Sequence, residues 1–155
     1  EGGVRVLWGK GDGTFLDGGA FPGLTSMASL AAVSNRDVAQ AEGGMLKLLA
    51  GKGDRTFAAP TAVAGLSGVL TLRTEDVNGD NKPDLLTTDG SGQNVGVVLA
   101  NGDGTFAAAQ NFSLRYTTLE ATTIDADGDT KPDLVVMVQN NQQQTQLMLL
   151  RNIGK

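Results

Sequence analysis

The chain has 155 residues, a formal net charge of −5, no cysteine and no histidine. That excludes disulfides, thiol chemistry and any ordinary structural zinc site, and it argues against nucleic acid and anionic membranes, which call for basic patches. No apolar run approaches the ~18 residues of a membrane span.

From the start of the chain, a strand over residues 4–8 runs into Gly9-Lys-Gly-Asp-Gly-Thr-Phe15. Gly-Asp-Gly between two strand-like runs reads as a tight hairpin, because Asp and Gly tolerate left-handed dihedrals. The phrase returns as Gly51-Lys-Gly-Asp-Arg-Thr-Phe57 after a strand over 45–50, and as Asn101-Gly-Asp-Gly-Thr-Phe106 after one over 95–100. Asp12, Asp54 and Asp103 are therefore expected to form turns. Arg55 replaces a glycine, so the middle turn is expected to be strained or of another type. Helical periodicity is weak everywhere, although residues 24–33 could be mistaken for a helix.

Two further stretches, Asp76-Val-Asn-Gly-Asp-Asn-Lys-Pro-Asp84 and Asp125-Ala-Asp-Gly-Asp-Thr-Lys-Pro-Asp133, place oxygen-bearing side chains at positions one, three, five and nine. Calcium wants six to eight oxygens at about 2.3–2.6 Å, which alternate side chains of a curled loop can supply. The expected side-chain ligands are Asp76, Asn78, Asp80 and Asp84, then Asp125, Asp127, Asp129 and Asp133. Lys82 and Lys131 would add their carbonyl oxygens and send their ammonium groups to solvent. The glycine stands fourth, not sixth, and no glutamate stands twelfth, so the EF-hand pattern fails; magnesium, which demands a near-ideal octahedron, fits less well. With four Asp against three Asp and one Asn, the second loop is expected to bind more tightly.

The loops start 49 residues apart, as do Phe57 and Phe106, whereas Phe15 and Phe57 are 42 apart. The chain is thus a repeat of strand, acidic loop, strand, turn, strand, Gly-Asp-Gly turn, strand. The best copy has strands over 69–74, 84–88, 95–100 and 105–112, and the last copy has a strand over 146–151. Four short antiparallel strands per unit is the arithmetic of a propeller blade. The expected division is 1–23, the end of one blade; 24–65, a degenerate blade; 66–114, a blade with a calcium loop; and 115–155, a blade with a calcium loop whose last strand is missing. The degenerate unit has Ser34-Asn-Arg-Asp37 in place of an acidic loop and is expected to hold no calcium. An open, partial propeller of about three blades follows, completed by further blades of the same or another chain. Leu70, Leu72, Leu85, Leu86, Val95, Val97, Leu99 and Phe106 are expected to pack it, with Leu134, Val135, Val136, Leu147, Leu149 and Leu150 in the next unit.

The acidic loops and the Gly-Asp-Gly/Arg-Thr-Phe phrases together resemble the FG-GAP and VCBS repeats of the integrin alpha-subunit propeller and of many bacterial extracellular proteins. The resemblance implies an all-β propeller with calcium held in the loop between the first two strands of a blade, by the residues named above. It also implies a secreted or cell-surface adhesion module whose partner is a protein or glycan. Trp8, Arg115 and Tyr116 could line a sugar site, although packing is the plainer role for them. An enzyme acting on polysaccharides would have to use carboxylates such as Glu42, Glu75, Asp89 or Glu120, which form no recognisable pair. A structural segment of a larger or self-assembling extracellular protein is the other reading. Asn140-Asn-Gln-Gln-Gln144 reads as a polar turn.

Overall fold

A computed structural model describes residues 5–20, 29–34, 36–90 and 92–153. Those residues form thirteen strands and no helix: β1 (Arg5–Gly9), β2 (Phe15–Ala20), β3 (Ser29–Ala32), β4 (Val38–Glu42), β5 (Met45–Leu49), β6 (Thr61–Val63), β7 (Thr71–Glu75), β8 (Asp84–Thr88), β9 (Asn94–Val98), β10 (Gln110–Ser113), β11 (Thr117–Ile124), β12 (Asp133–Gln139) and β13 (Thr145–Leu150). They make four antiparallel sheets in chain order: β1-β2, β3-β4-β5-β6, β7-β8-β9-β10 and β11-β12-β13. None closes into a barrel, and the arrangement is that of successive propeller-like blades. In the stretch that could be mistaken for a helix, Ser29–Ala32 is a strand, in keeping with the weak helical periodicity; 24–28 lie outside the described residues.

Sheets pack face to face because strand side chains alternate. In β8, Leu85 joins a core with Ala39, Ala41, Leu46, Leu72 and Val98, while its neighbour Leu86 joins the next core with Val97, Ala121, Leu134 and Val136. Every residue of β8 is buried, as expected for the central strand of a sheet covered on both sides. The last sheet is covered on one face only. Leu147 and Leu149, expected as packing residues, are therefore 75% and 47% exposed. Leu70 is also exposed, because it precedes β7 and lies over Gly90 instead of entering a core.

Side chains also tie neighbouring sheets. Arg73 donates from Nε to Glu120 Oε1 at 2.9 Å, Thr122 Oγ1 to Glu75 at 2.9 Å, and Thr118 Oγ1 to Asp89 at 3.1 Å. Glu42 pairs with Lys47 within its own sheet (2.5 Å). Glu42, Glu75, Asp89 and Glu120 thus each hold a structural contact. Trp8 stacks on Phe57 across a sheet boundary at 6.5 Å between centroids, and Tyr116 packs on the second core.

The strand expected over 105–112 is interrupted. Phe106 bridges Ala100, but β10 begins at Gln110, paired with Val97, so the register slips by one residue between them. The same slip separates the Gly51–Phe57 bridge from the Leu46–Val63 pair, and β1-β2 slips between Arg5 and Leu7. An extra residue of this kind is a bulge, which bends and twists the outer strand.

The middle Gly-Asp-Arg turn keeps the form of its neighbours. Asp54 Oδ1 accepts from Thr56 N at 3.0 Å, as Asp12 and Asp103 accept from Thr14 and Thr105. Hydroxyl and then amide hydrogen bonds from those threonines hold all three carboxyls below their ordinary range. Arg55 takes φ 71°, where Gly13 and Gly104 take 86°. The strain thus stays at one residue and does not change the turn. Arg55→Gly is expected to stabilise the fold by about 0.5–1 kcal/mol, left-handed strain being partly offset by the greater freedom of unfolded glycine. Urea unfolding of the two proteins checks it.

Candidate metal centre

Each acidic loop lies between the first two strands of its sheet and winds around its first aspartate. Asp76 Oδ1 accepts from Gly79 N at 2.7 Å and Asp80 N at 3.1 Å, and its Oδ2 accepts from Asn81 N at 2.8 Å. Asp125 repeats this with Gly128 N at 2.8 Å and Thr130 N at 3.0 Å. Such winding needs left-handed backbone at two places, Gly79 and Asn81 in the first loop (φ 78° and 62°) and Gly128 and Thr130 in the second (79° and 67°). Asparagine tolerates that conformation, whereas β-branched threonine is strained in it.

The ninth position works differently. Asp84 is 0% and Asp133 1% exposed. Asp84 Oδ2 accepts from Val77 N at 3.1 Å and Oδ1 from Ala100 N at 2.7 Å, so one carboxylate joins the loop to the far end of the neighbouring strand. Asp133 does the same with Ala126 N at 3.1 Å and Asn152 N at 2.7 Å. In the shortened loop, Asp37 Oδ1 accepts from Gly51 N at 2.9 Å while Ser34 Oγ donates to its Oδ2. That carboxylate clasp recurs in three of the four sheets and was not read from the sequence. Its signal was there: an aspartate opening each second strand, even where the rest of the acidic pattern is lost.

The structure brings together one oxygen each of Asp76, Asp80 and Asp84, all within 4.8 Å of one another, and likewise of Asp125, Asp127 and Asp133. Asn78 lies in the first loop with its Oδ1 accepting from Asp80 N at 3.0 Å. Asp129 is not in the second group. The lysines depart from expectation, for Lys82 Nζ lies 2.9 Å from Asp80 Oδ2 and Lys131 Nζ 3.0 Å from Asp129 Oδ2. Their stems span the two-residue gap, and each ammonium offsets the charge of an adjacent carboxylate. Burial, and then the charges of Asp80 and Asp76, push the Asp84 carboxyl up, while Lys82 holds Asp80 down. Convergent all-oxygen donors carrying several negative charges suit a hard cation, and calcium fits this donor set better than softer metals do.

Arg151, which sequence reasoning did not single out, pairs through Nη2 with Asp127 Oδ2. No curated protein and no solved structure matches the chain. Residues 76–136, which hold both acidic loops and most of the sheet residues between them, match the family model described as FG-GAP-like repeat.

Proposed function

We propose that the chain is a calcium-binding propeller module that acts outside the cell as a non-catalytic binding or adhesion unit for a protein or glycan. The observation that carries this reading is the pair of acidic loops, each with three carboxylate oxygens converging at the mouth of a sheet. The candidate ligands are Asp76, Asn78, Asp80, Asp84 and the Lys82 carbonyl, with Asp125, Asp127, Asp129, Asp133 and the Lys131 carbonyl in the second loop. Calcium would supply the positive charge that these carboxylates call for and hold the loops in one shape. Loops carried on rigid sheets are common recognition surfaces.

Extracellular calcium modules often bind at about 10⁻⁴ to 10⁻³ M. At ~1 mM calcium, mass action then adds only about 0.4–1.4 kcal/mol per site. Chelation is accordingly expected to speed amide exchange over residues 76–83 and 125–132 while β8 and β12 stay protected, which hydrogen exchange reads directly. The function is tested by presenting the chain to arrayed glycans and matrix proteins with calcium and with chelator. Calcium-dependent capture supports the reading, and turnover of a polysaccharide would replace it with an enzyme.

The exposed outer face of the last sheet, with Leu147 and Leu149, favours one second reading: a structural segment whose open face is covered by further blades. Large exposed apolar patches commonly mark such contacts.

A further inference from the structure

The two acidic loops differ by more than one carboxylate. Position three is neutral Asn78 in the first and Asp127 in the second, and among the described residues only Asp127 has a cation from another strand upon it, Arg151. The repeat fixes what Arg151 replaces. Asn152 N donates to Asp133 as Ala100 N donates to Asp84, so Arg151 stands where Leu99 stands one sheet earlier. Leu99 packs against the second core and reaches no carboxylate. With Lys82 set against Asp76, Asp80 and Asp84, and Lys131 and Arg151 set against Asp125, Asp127, Asp129 and Asp133, both loops come to a net charge of −2. The extra aspartate therefore arrives with its own counter-charge.

We infer that Arg151 sets the cation affinity of the second loop by competing with the bound ion for Asp127. This rests on the calcium reading above. Asp127 is one of the three carboxylates that converge in that loop, and its Oδ2 already serves the guanidinium. A divalent ion drawn into the group must displace Arg151 or sit beside it, and either outcome weakens binding. The second loop is then not the tighter of the two, contrary to what a count of carboxylates alone suggests. Arg151 side-chain exposure of 59% keeps the pair partly screened, so the effect is of surface size, about fivefold in affinity.

The test is calorimetric calcium titration in the Asp80→Ala background, where the first loop is weakened and the second is read by itself. Arg151→Leu, which copies Leu99, is expected to tighten the second site about fivefold, consistent with loss of an exposed ion pair that competes with the metal. With Asp127→Asn added, the same substitution is expected to leave affinity unchanged, because the group competed for is gone. An equal effect in both backgrounds, or none in either while calcium still binds, overturns the role of Arg151 and leaves the calcium reading standing. No saturable calcium uptake by the unsubstituted chain overturns both.

Discussion

Asp84→Ala is expected to destabilise the fold by about 2–4 kcal/mol even in chelator, because it leaves two sheltered backbone donors without an acceptor at roughly 1–3 kcal/mol each. The donors are Val77 N and Ala100 N, which Asp84 joins across the base of the loop while it is itself 0% exposed. Asp80, which is exposed and whose side chain faces Lys82 and the loop amide, gives the contrast. Asp80→Ala should cost the calcium-free protein under ~1 kcal/mol, as exposed pairs do. Urea unfolding of both variants in chelator separates the clasp from metal binding, and equal losses would mean that Asp84 has no clasping role. The pH response has a definite sign. Burial and the nearby Asp80 and Asp76 raise the Asp84 carboxyl above its ordinary 3.8, so the calcium-free fold holds that proton more tightly than the unfolded chain does. The stabilisation linked to it is complete below 3.8 and lost as pH rises through the raised folded value. In chelator, the gap between the unsubstituted chain and Asp84→Ala should therefore widen on acidification.

Gln40→Met is expected to stabilise the protein by about 1–3 kcal/mol, the cost of burying an amide that makes no hydrogen bond. Gln40 lies in the middle of β4, 0% exposed, with neither Nε2 nor Oε1 partnered among the described residues. Its neighbours Ala39 and Ala41 point into the first core, so Gln40 occupies the opposite face, across from Leu30 and Lys47. Methionine nearly matches the length and flexibility of glutamine and removes both polar atoms. Thermal unfolding decides the matter. A lower melting temperature for the variant would show that the amide is satisfied in solution by an ordered water.

Much of the fold was legible because the chain repeats itself. The phrases ending in Phe15, Phe57 and Phe106 mark the same hairpin three times, and the acidic loops fix the first two strands of two sheets, with β8 beginning and ending at the expected residues 84 and 88. Periodicity did not reveal the slip between Phe106 and Gln110, because a bulge shifts pairing by one residue without changing which residue types occur. Nor could it show that Leu147 and Leu149 face outward, since a strand alternates in the same way whether or not a neighbouring sheet covers it. The oxygen spacing named the residues that the loops gather, but not how they divide their work. Asp84 and Asp133 clasp backbone amides across the sheet, Asp80 and Asp129 bind the lysines expected in solvent, and Asp127 is met by Arg151 from the end of β13. The clasps to Ala100 and Asn152 and the Arg151 pair are contacts between strands, which spacing within a loop cannot report; the lysine pairs depend on how each stem folds back over its loop.

The most direct test of the central claim is the calcium stoichiometry of the chain by isothermal calorimetry, with Asp80→Ala and Asp127→Ala measured alongside. Two sites in the unsubstituted chain, with each substitution weakening or removing one and leaving the other, is the result expected from two loops of three convergent carboxylates. No saturable uptake, or a stoichiometry and affinity that neither substitution changes, would contradict it.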